Sequence, residues 1–242
     1  AAASAPTPDQ LRRGRALIVA AVTAHGGAAK LAAAHEVTVE GDLTLYAGGQ
    51  QVTGQYSAIR RDPSRLVTMT RLFSFENRQV LDGDRGWTLA VAESAQVQNA
   101  DSSGLESLRH ILAGDLVHVL RAAADPAAAA AWRGREKIGL RTCDLVEFGA
   151  GGVPTTRLAV DPVTHRITAV DAGPTAAGAW RDRRLWSDYR PVGGLLLPHL
   201  EERWLDGDHV STFRVRRTAV NAAVDTTLFR YPDVRHGQLL DR

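Results

Sequence analysis

Apolar and polar residues alternate one for one over much of this chain. The clearest case runs from Leu185 to Phe229, where three β-like runs are divided by Arg190-Pro191-Val192-Gly193-Gly194 and by Asp206-Gly207-Asp208. Proline brings no ladder donor and glycine accepts positive φ, so both breaks have a physical cause and the stretch predicts an antiparallel meander. The same period of two starts earlier. Val37, Val39, Leu43 and Leu45 alternate with Thr38, Glu40, Asp42 and Thr44, and after Ala47-Gly48-Gly49-Gln50 a second run carries Val52, Tyr56 and Ala58. Further strands are expected over 65–75, 77–82, 86–91, 135–140, 143–148, 155–161, 165–171, 180–189, 195–205 and 209–220. Turn signals lie at Asp62-Pro63-Ser64, at Gly149 to Pro154 and at Asp161-Pro162.

Two segments switch to the helical period. Residues 9 to 24 place Leu11, Arg15, Ile18 and Val22 on one stripe, Gly26-Gly27 ends that helix beside His25, and a short turn of helix follows from Ala28. Residues 101 to 124 read as a helix capped at Asp101, Ser102 or Ser103 and apolar from Leu105 to Leu120, with a further helical turn over Ala127 to Ala131. The spacing leaves no room for βαβ crossovers. The expected fold is mainly β with helices (α+β): one curved antiparallel sheet of about eleven strands, helices covering its concave face. Residues 9–232 form one domain in this reading, between a flexible segment 1–8 and a polar tail 233–242.

Composition narrows function mostly by exclusion. Lysine and arginine number 29 against 27 acidic residues, a formal charge of +2, and no basic face interleaved with aromatics stands out, so no nucleic-acid partner is expected. The single cysteine, Cys143, sits in an apolar strand run and excludes an internal disulfide or a Cys-based zinc cluster. Asp82-Gly83-Asp84-Arg85-Gly86 lacks the later carboxylates of a calcium loop and reads as a hairpin turn. His199, Glu201 and Glu202 follow no zinc-protease spacing, and neither a nucleophile elbow, a P-loop nor a dinucleotide fingerprint occurs. No enzyme activity, metal or cofactor is expected.

What remains is apolar bulk on strands. Leu43, Leu45, Tyr56, Met69, Trp87, Leu112, Leu116, Trp186, Leu196, Trp204 and Phe213 are the candidate lining of an apolar cavity, although a large sheet needs such residues for its core in any case. Arg181, Arg183, Arg214 and Arg216 are candidates to meet an anionic headgroup or a partner; solvated strand faces would carry them equally well. No run reaches the roughly 18 apolar residues of a membrane span. The start Ala-Ala-Ala-Ser-Ala-Pro-Thr-Pro suits the mature end of an exported protein.

This arrangement resembles the LolA/LolB-like superfamily of exported bacterial proteins. The matching stretches are Ala24-His25-Gly26-Gly27, Val39-Glu40-Gly41, Val80 to Trp87, Leu158 to Arg166, Tyr189 to Pro198, Val220-Asn221 and Asp225 to Phe229. Similar tail domains occur in some M16-type peptidases, whose zinc motif this sequence lacks. The resemblance implies a half-open antiparallel barrel of about eleven strands with helices plugging the concave side. It also implies non-catalytic binding of a lipid, acyl chain or acylated protein in the periplasm. An accessory subunit docking on a larger, membrane-associated assembly is the alternative.

Overall fold

The computed structural model describes residues 5–149, 156–174, 180–235 and 237–239, and of residues 173, 174, 180 and 181 it describes the backbone only. The elements follow the order α1 (Pro8–Ala24), α2 (Ala28–Ala33), β1 (Glu36–Ala47), β2 (Gln50–Arg61), β3 (Arg65–Leu72), β4 (Phe75–Asp82), β5 (Arg85–Val91), β6 (Ala95–Asn99), α3 (Ser102–Ala113) and α4 (Leu116–Ala124). Then come β7 (Ala131–Ile138), β8 (Arg141–Phe148), β9 (Thr156–Val160), β10 (Ile167–Pro174), β11 (Trp180–Val192), β12 (Leu195–Leu205) and β13 (Asp208–Val220). A 3-10 turn (Thr226–Phe229) and a short ribbon, β14 (Val234–Arg235) with β15 (Gln238–Leu239), close the described chain.

Thirteen strands join in one antiparallel sheet that does not close; β6 and β7 are its edges. The runs picked out by alternation all become strands, with the run expected over 65–75 ending at Leu72 and Phe75 opening β4. The strand that escapes periodicity is β6, a five-residue edge strand without a clear alternation. The expected helix over 101–124 is two helices, parted at Gly114-Asp115. Ala127–Ala131 is not helical: a turn at 126–128 leads into β7, which begins at Ala131.

The chain divides into two compact units. Unit 1 holds residues 1–33 and 116–212, unit 2 residues 34–115 and 213–242.

In unit 1, Thr7 and Gln10 form a reciprocal capping box that starts α1. The bare Gly14 lets α1 meet β7 backbone: an added Cβ would lie 2.5 Å from the Ala130 carbonyl oxygen. Arg13 stacks 3.8 Å above the Trp132 ring and donates to Asp144, which also accepts from Trp132 Nε1 and Arg135. Arg15 donates to the carbonyls of residues 123, 124 and 125, so a cation closes the C-terminus of α4, where the helix dipole favours it.

Unit 2 is sheeted on both sides of its strands. On one face α3 lays Leu108 and Leu112 on Leu66 and Leu81. On the other, Ile59, Val67, Val80, Trp87, Leu89 and Ala95 pack against Phe229, with Val224, Leu228, Val234 and Leu239 around it. Residues beyond 232 therefore include a paired ribbon packed on this face.

Candidate functional site

Register decides which candidate residues can share a wall. In unit 2, Leu43 pairs with Gly54 and Gly41 with Tyr56, and Tyr56 continues to Thr70 and Asn77. Leu43, Leu45, Tyr56 and Phe213 gather in one cluster with Val39 and Val215, and Tyr56 meets Phe213 edge-on at 5.0 Å. Gly41 permits this, because a Cβ there would lie 2.1 Å from the Arg214 carbonyl oxygen. Counting by twos along the paired strands, the same face carries Leu66 and Leu81 under α3, which places Leu112 on it too. Between the two apolar ends lie Thr68 and Gln79, cross-strand partners within hydrogen-bonding reach, with Thr70 and Asn77 beside them. The floor is apolar, polar, apolar.

Trp87 and Met69 leave this wall. Trp87 pairs with Val80 and Val80 with Val67, the opposite parity, so Trp87 is core beneath Phe229 and Met69 borders that core. The physical reason is that both sides of these strands are covered, by α3 on one and by the Phe229 segment on the other, so alternation puts Trp87 with Leu89 and Val91 without saying which cover they meet. Met69 instead edges an open groove of about 310 Å³ with Ser57, Arg71 and Arg216.

In unit 1, Leu116 is buried in α4, and Trp186 is buried with its indole N–H donated to Glu201 at 2.9 Å. Leu196 is half-buried and its carbonyl oxygen accepts from His25 Nδ1 at 2.8 Å. Trp204 stacks on His209 at 4.7 Å and borders an open groove of about 330 Å³ with Ile138, Leu185 and Lys137.

The arginines are placed by register as well. Glu147, Arg157, Asp171 and Arg183 are successive cross-strand neighbours over β8, β9, β10 and β11, an alternating ladder of charge. Arg157 donates to Glu147 at 2.6 Å and Arg183 grips Asp171 at 2.6 and 2.9 Å, while Glu136 takes its remaining donors. Arg133 adds a second cation on Glu147. Hydrogen bonds to Asp171, and then to Glu136, hold the Arg183 guanidinium charged well beyond the ordinary arginine range. Arg183 is thus saturated by two carboxylates, which argues against it as an anion receptor. Arg216 is likewise held by Asp42 at 2.6–2.7 Å, and Arg214 projects to solvent. The Arg181 side chain lies outside the described residues.

Other candidates settle into structural roles. Cys143 is fully buried beside Thr168 Oγ1, and burial pushes its thiol up. His199 is buried with Nδ1 on the Leu197 carbonyl oxygen. Among the described residues no three His, Cys, Asp or Glu side chains converge as a metal site, and no helix is long and apolar enough to cross a membrane.

One residue carries more than its sequence position suggests. His25 ends α1, is fully buried, donates from Nδ1 to Leu196 and accepts the Ile167 backbone N–H at Nε2, 3.1 Å away. Both ring nitrogens are used, which fixes the neutral tautomer. Burial lowers its pKa against the opposing pull of the Leu196 carbonyl. The sequence places it as a helix cap; only the long-range pairing reveals it as a pin between α1, β10 and β12.

Comparison with solved structures then gives the class. A DUF1329 family protein from Desulfovibrio piger superposes with a TM-score of 0.62 at 11% identity, over 92% of this chain and 98% of that one. A putative outer membrane lipoprotein-sorting protein domain from Vibrio parahaemolyticus gives 0.57 at 9% identity, over 90% and 97%. A LolA superfamily protein from Nitrosomonas europaea gives 0.56 at 12% identity, over 90% and 97%. The chain has a LolA-like fold. No protein-family model and no curated sequence matches it.

Proposed function

We propose that the chain is an exported, non-catalytic protein that holds a lipid, an acyl chain or an acylated protein, as the half-open barrel of LolA-like proteins implies. One observation carries this reading: the fold likeness, over nine-tenths of the chain, to a protein described as a lipoprotein-sorting domain. The helix-covered face of unit 2 supports it in chemistry. Leu43, Leu45, Tyr56 and Phe213 offer an apolar end, and Leu112 lies at the other. Thr68 and Gln79 between them offer hydrogen bonds to an ester or amide group, the polar feature every acylated ligand brings.

Native mass spectrometry with organic extraction of the purified full chain tests the proposal. A co-purifying lipid, lost in a folded Leu43→Asp variant, is expected. Protein that carries no lipid and takes up no fluorescent acyl probe would remove the reading. Stable co-fractionation with a membrane complex in that lipid-free state would put an accessory subunit in its place.

A further inference from the structure

Tryptophans in unit 1 spend their indole donors on carboxylates, with one exception among the described residues. Trp132 donates from Nε1 to Asp144 and Trp186 to Glu201, each at 2.9 Å. Trp204 Nε1 is buried and has no acceptor. A buried donor in that state destabilises the folded chain. Trp204 stands opposite Arg183 in the β11–β12 register and stacks on His209 at 4.7 Å. It also lines the groove of about 330 Å³.

The other side chains of that groove are Lys137, Ile138, Arg183 and Leu185, with the bare Gly139 and Gly207 beside them. No carboxylate lines it. Arg183 is neutralised from outside by Asp171 and Glu136. The uncommitted charge is therefore Lys137, which is exposed and enters no ion pair among the described residues. Two aliphatic side chains, an indole with an unspent donor and one ammonium ask for an anionic oxygen carried on an apolar body. The charge available selects a single carboxylate, because a phosphate dianion calls for an arginine fork and Arg183 is already taken. The volume lies near the lower end of small-molecule sites, roughly 300–1,000 Å³, which suits one or two rings. An aromatic ring also gains offset stacking on Trp204 that an alkyl chain lacks.

We propose that this groove binds a small aromatic monocarboxylate: the carboxylate pairs with Lys137 and takes the Trp204 indole N–H, and the ring lies against Ile138, Leu185 and the indole. Because Nε1 is covered as the protein stands, binding turns that edge of the indole toward the ligand. The groove lies wholly within unit 1, so the site stands or falls apart from the lipid reading of unit 2. Acid binding without co-purifying lipid would keep the groove and remove the carrier, and the reverse result would do the opposite.

Isothermal titration of the full chain with naphthaleneacetate tests the site, beside proton–nitrogen NMR spectra in which Trp204→Phe identifies the Trp204 indole signal. One saturable site per chain is expected, and that signal should move downfield as the acid is added. Lys137→Gln, a change at an exposed residue, should weaken binding about tenfold, and Lys137→Arg should restore most of it. Trp204→Phe keeps a ring for stacking but removes the donor, and should also cost about tenfold. Naphthaleneacetamide, the same size without the charge, should bind at least about tenfold more weakly than the acid. The proposal is overturned if the acid shows no saturable binding in the millimolar range, if Lys137→Gln binds it undiminished, or if the Trp204 signal stays fixed. Displacement of the acid by palmitate would overturn it as well, since the groove would then belong to an acyl-chain site.

Discussion

Unit 2 and unit 1 finish their strands by opposite means. In unit 2 both faces are shut by apolar contact, α3 on one side and the segment around Phe229 on the other. In unit 1 the face that carries the charge ladder is tied by Glu147, Arg157, Asp171 and Arg183, while α1 and α4 contribute the helical cover of the unit. Apolar closure is indifferent to salt and nearly so to pH. Ionic closure is directional and register-specific, and it is sensitive to the loss of any one partner. One sheet thus contains two kinds of stability, and perturbation should separate them.

The largest effect is expected in the apolar unit. Phe229→Ala removes the ring that covers Val80 and Trp87 and that Arg65 caps at 4.4 Å; it should cost about 3–5 kcal/mol. Urea unfolding should show the same loss at low salt and in 0.5 M NaCl, roughly a fivefold change around the physiological ionic strength.

Glu147→Ala in the ionic unit should cost less, about 2–3 kcal/mol, since Arg133 and Arg157 are left facing each other but keep some access to water. Here salt should shrink the loss. Equal salt dependence in the two variants would collapse the distinction.

Acid should act on unit 1 through His25 and through carboxylates such as Asp161, each with a definite sign. His25 has a folded pKa below its unfolded value of about 6.5. Its stabilising part is therefore complete above that pH and is lost as pH falls through the lowered folded value. His25→Asn should weaken the protein at neutral pH and flatten this limb. Burial alone would raise the Asp161 carboxyl, but the N–H groups of Thr164 and Val163 and the Arg141 guanidinium hold it at about 2. Its contribution is complete above the ordinary carboxylate value and is lost toward pH of about 2, so Asp161→Asn should remove a second, more acidic step in a pH series of melts.

The smallest effect is the sharpest control. Arg216→Ala breaks an exposed pair with Asp42 and should move stability by no more than about 0.5 kcal/mol. A larger loss would mean that surface pairing in unit 2 matters as much as the ladder does in unit 1.

Much of this was legible in the sequence wherever one strand face is polar. β1, β2, β12 and β13 stand where alternation places them, because a single register satisfies both faces. Legibility failed where that constraint is missing. In β8, Cys143 to Phe148 are all buried, so periodicity cannot assign a face, and nothing in it shows that Asp144 and Glu147 are buried ion-pair partners. For Trp87 alternation is clear, but the sequence does not say that its face meets the Phe229 segment and not a helix. The pin at His25 was invisible because its partners, Ile167 and Leu196, lie 142 and 171 residues away.

The Phe229 segment also sets an order of events during synthesis. Its contacts reach back from residues 224–239 to strands between Ile59 and Val97, with all of β7 to β12 made in between. A ribosome working from the N-terminus therefore releases β2 to β6 long before their second cover exists. For that interval Ile59, Val67, Val80 and Leu89 form an uncovered apolar sheet face, the kind of surface on which nascent chains aggregate or meet chaperones. A chain stopped short of residue 224 should bind more of an apolar dye such as ANS than the full chain does, and a holdase chaperone should engage the first and ignore the second.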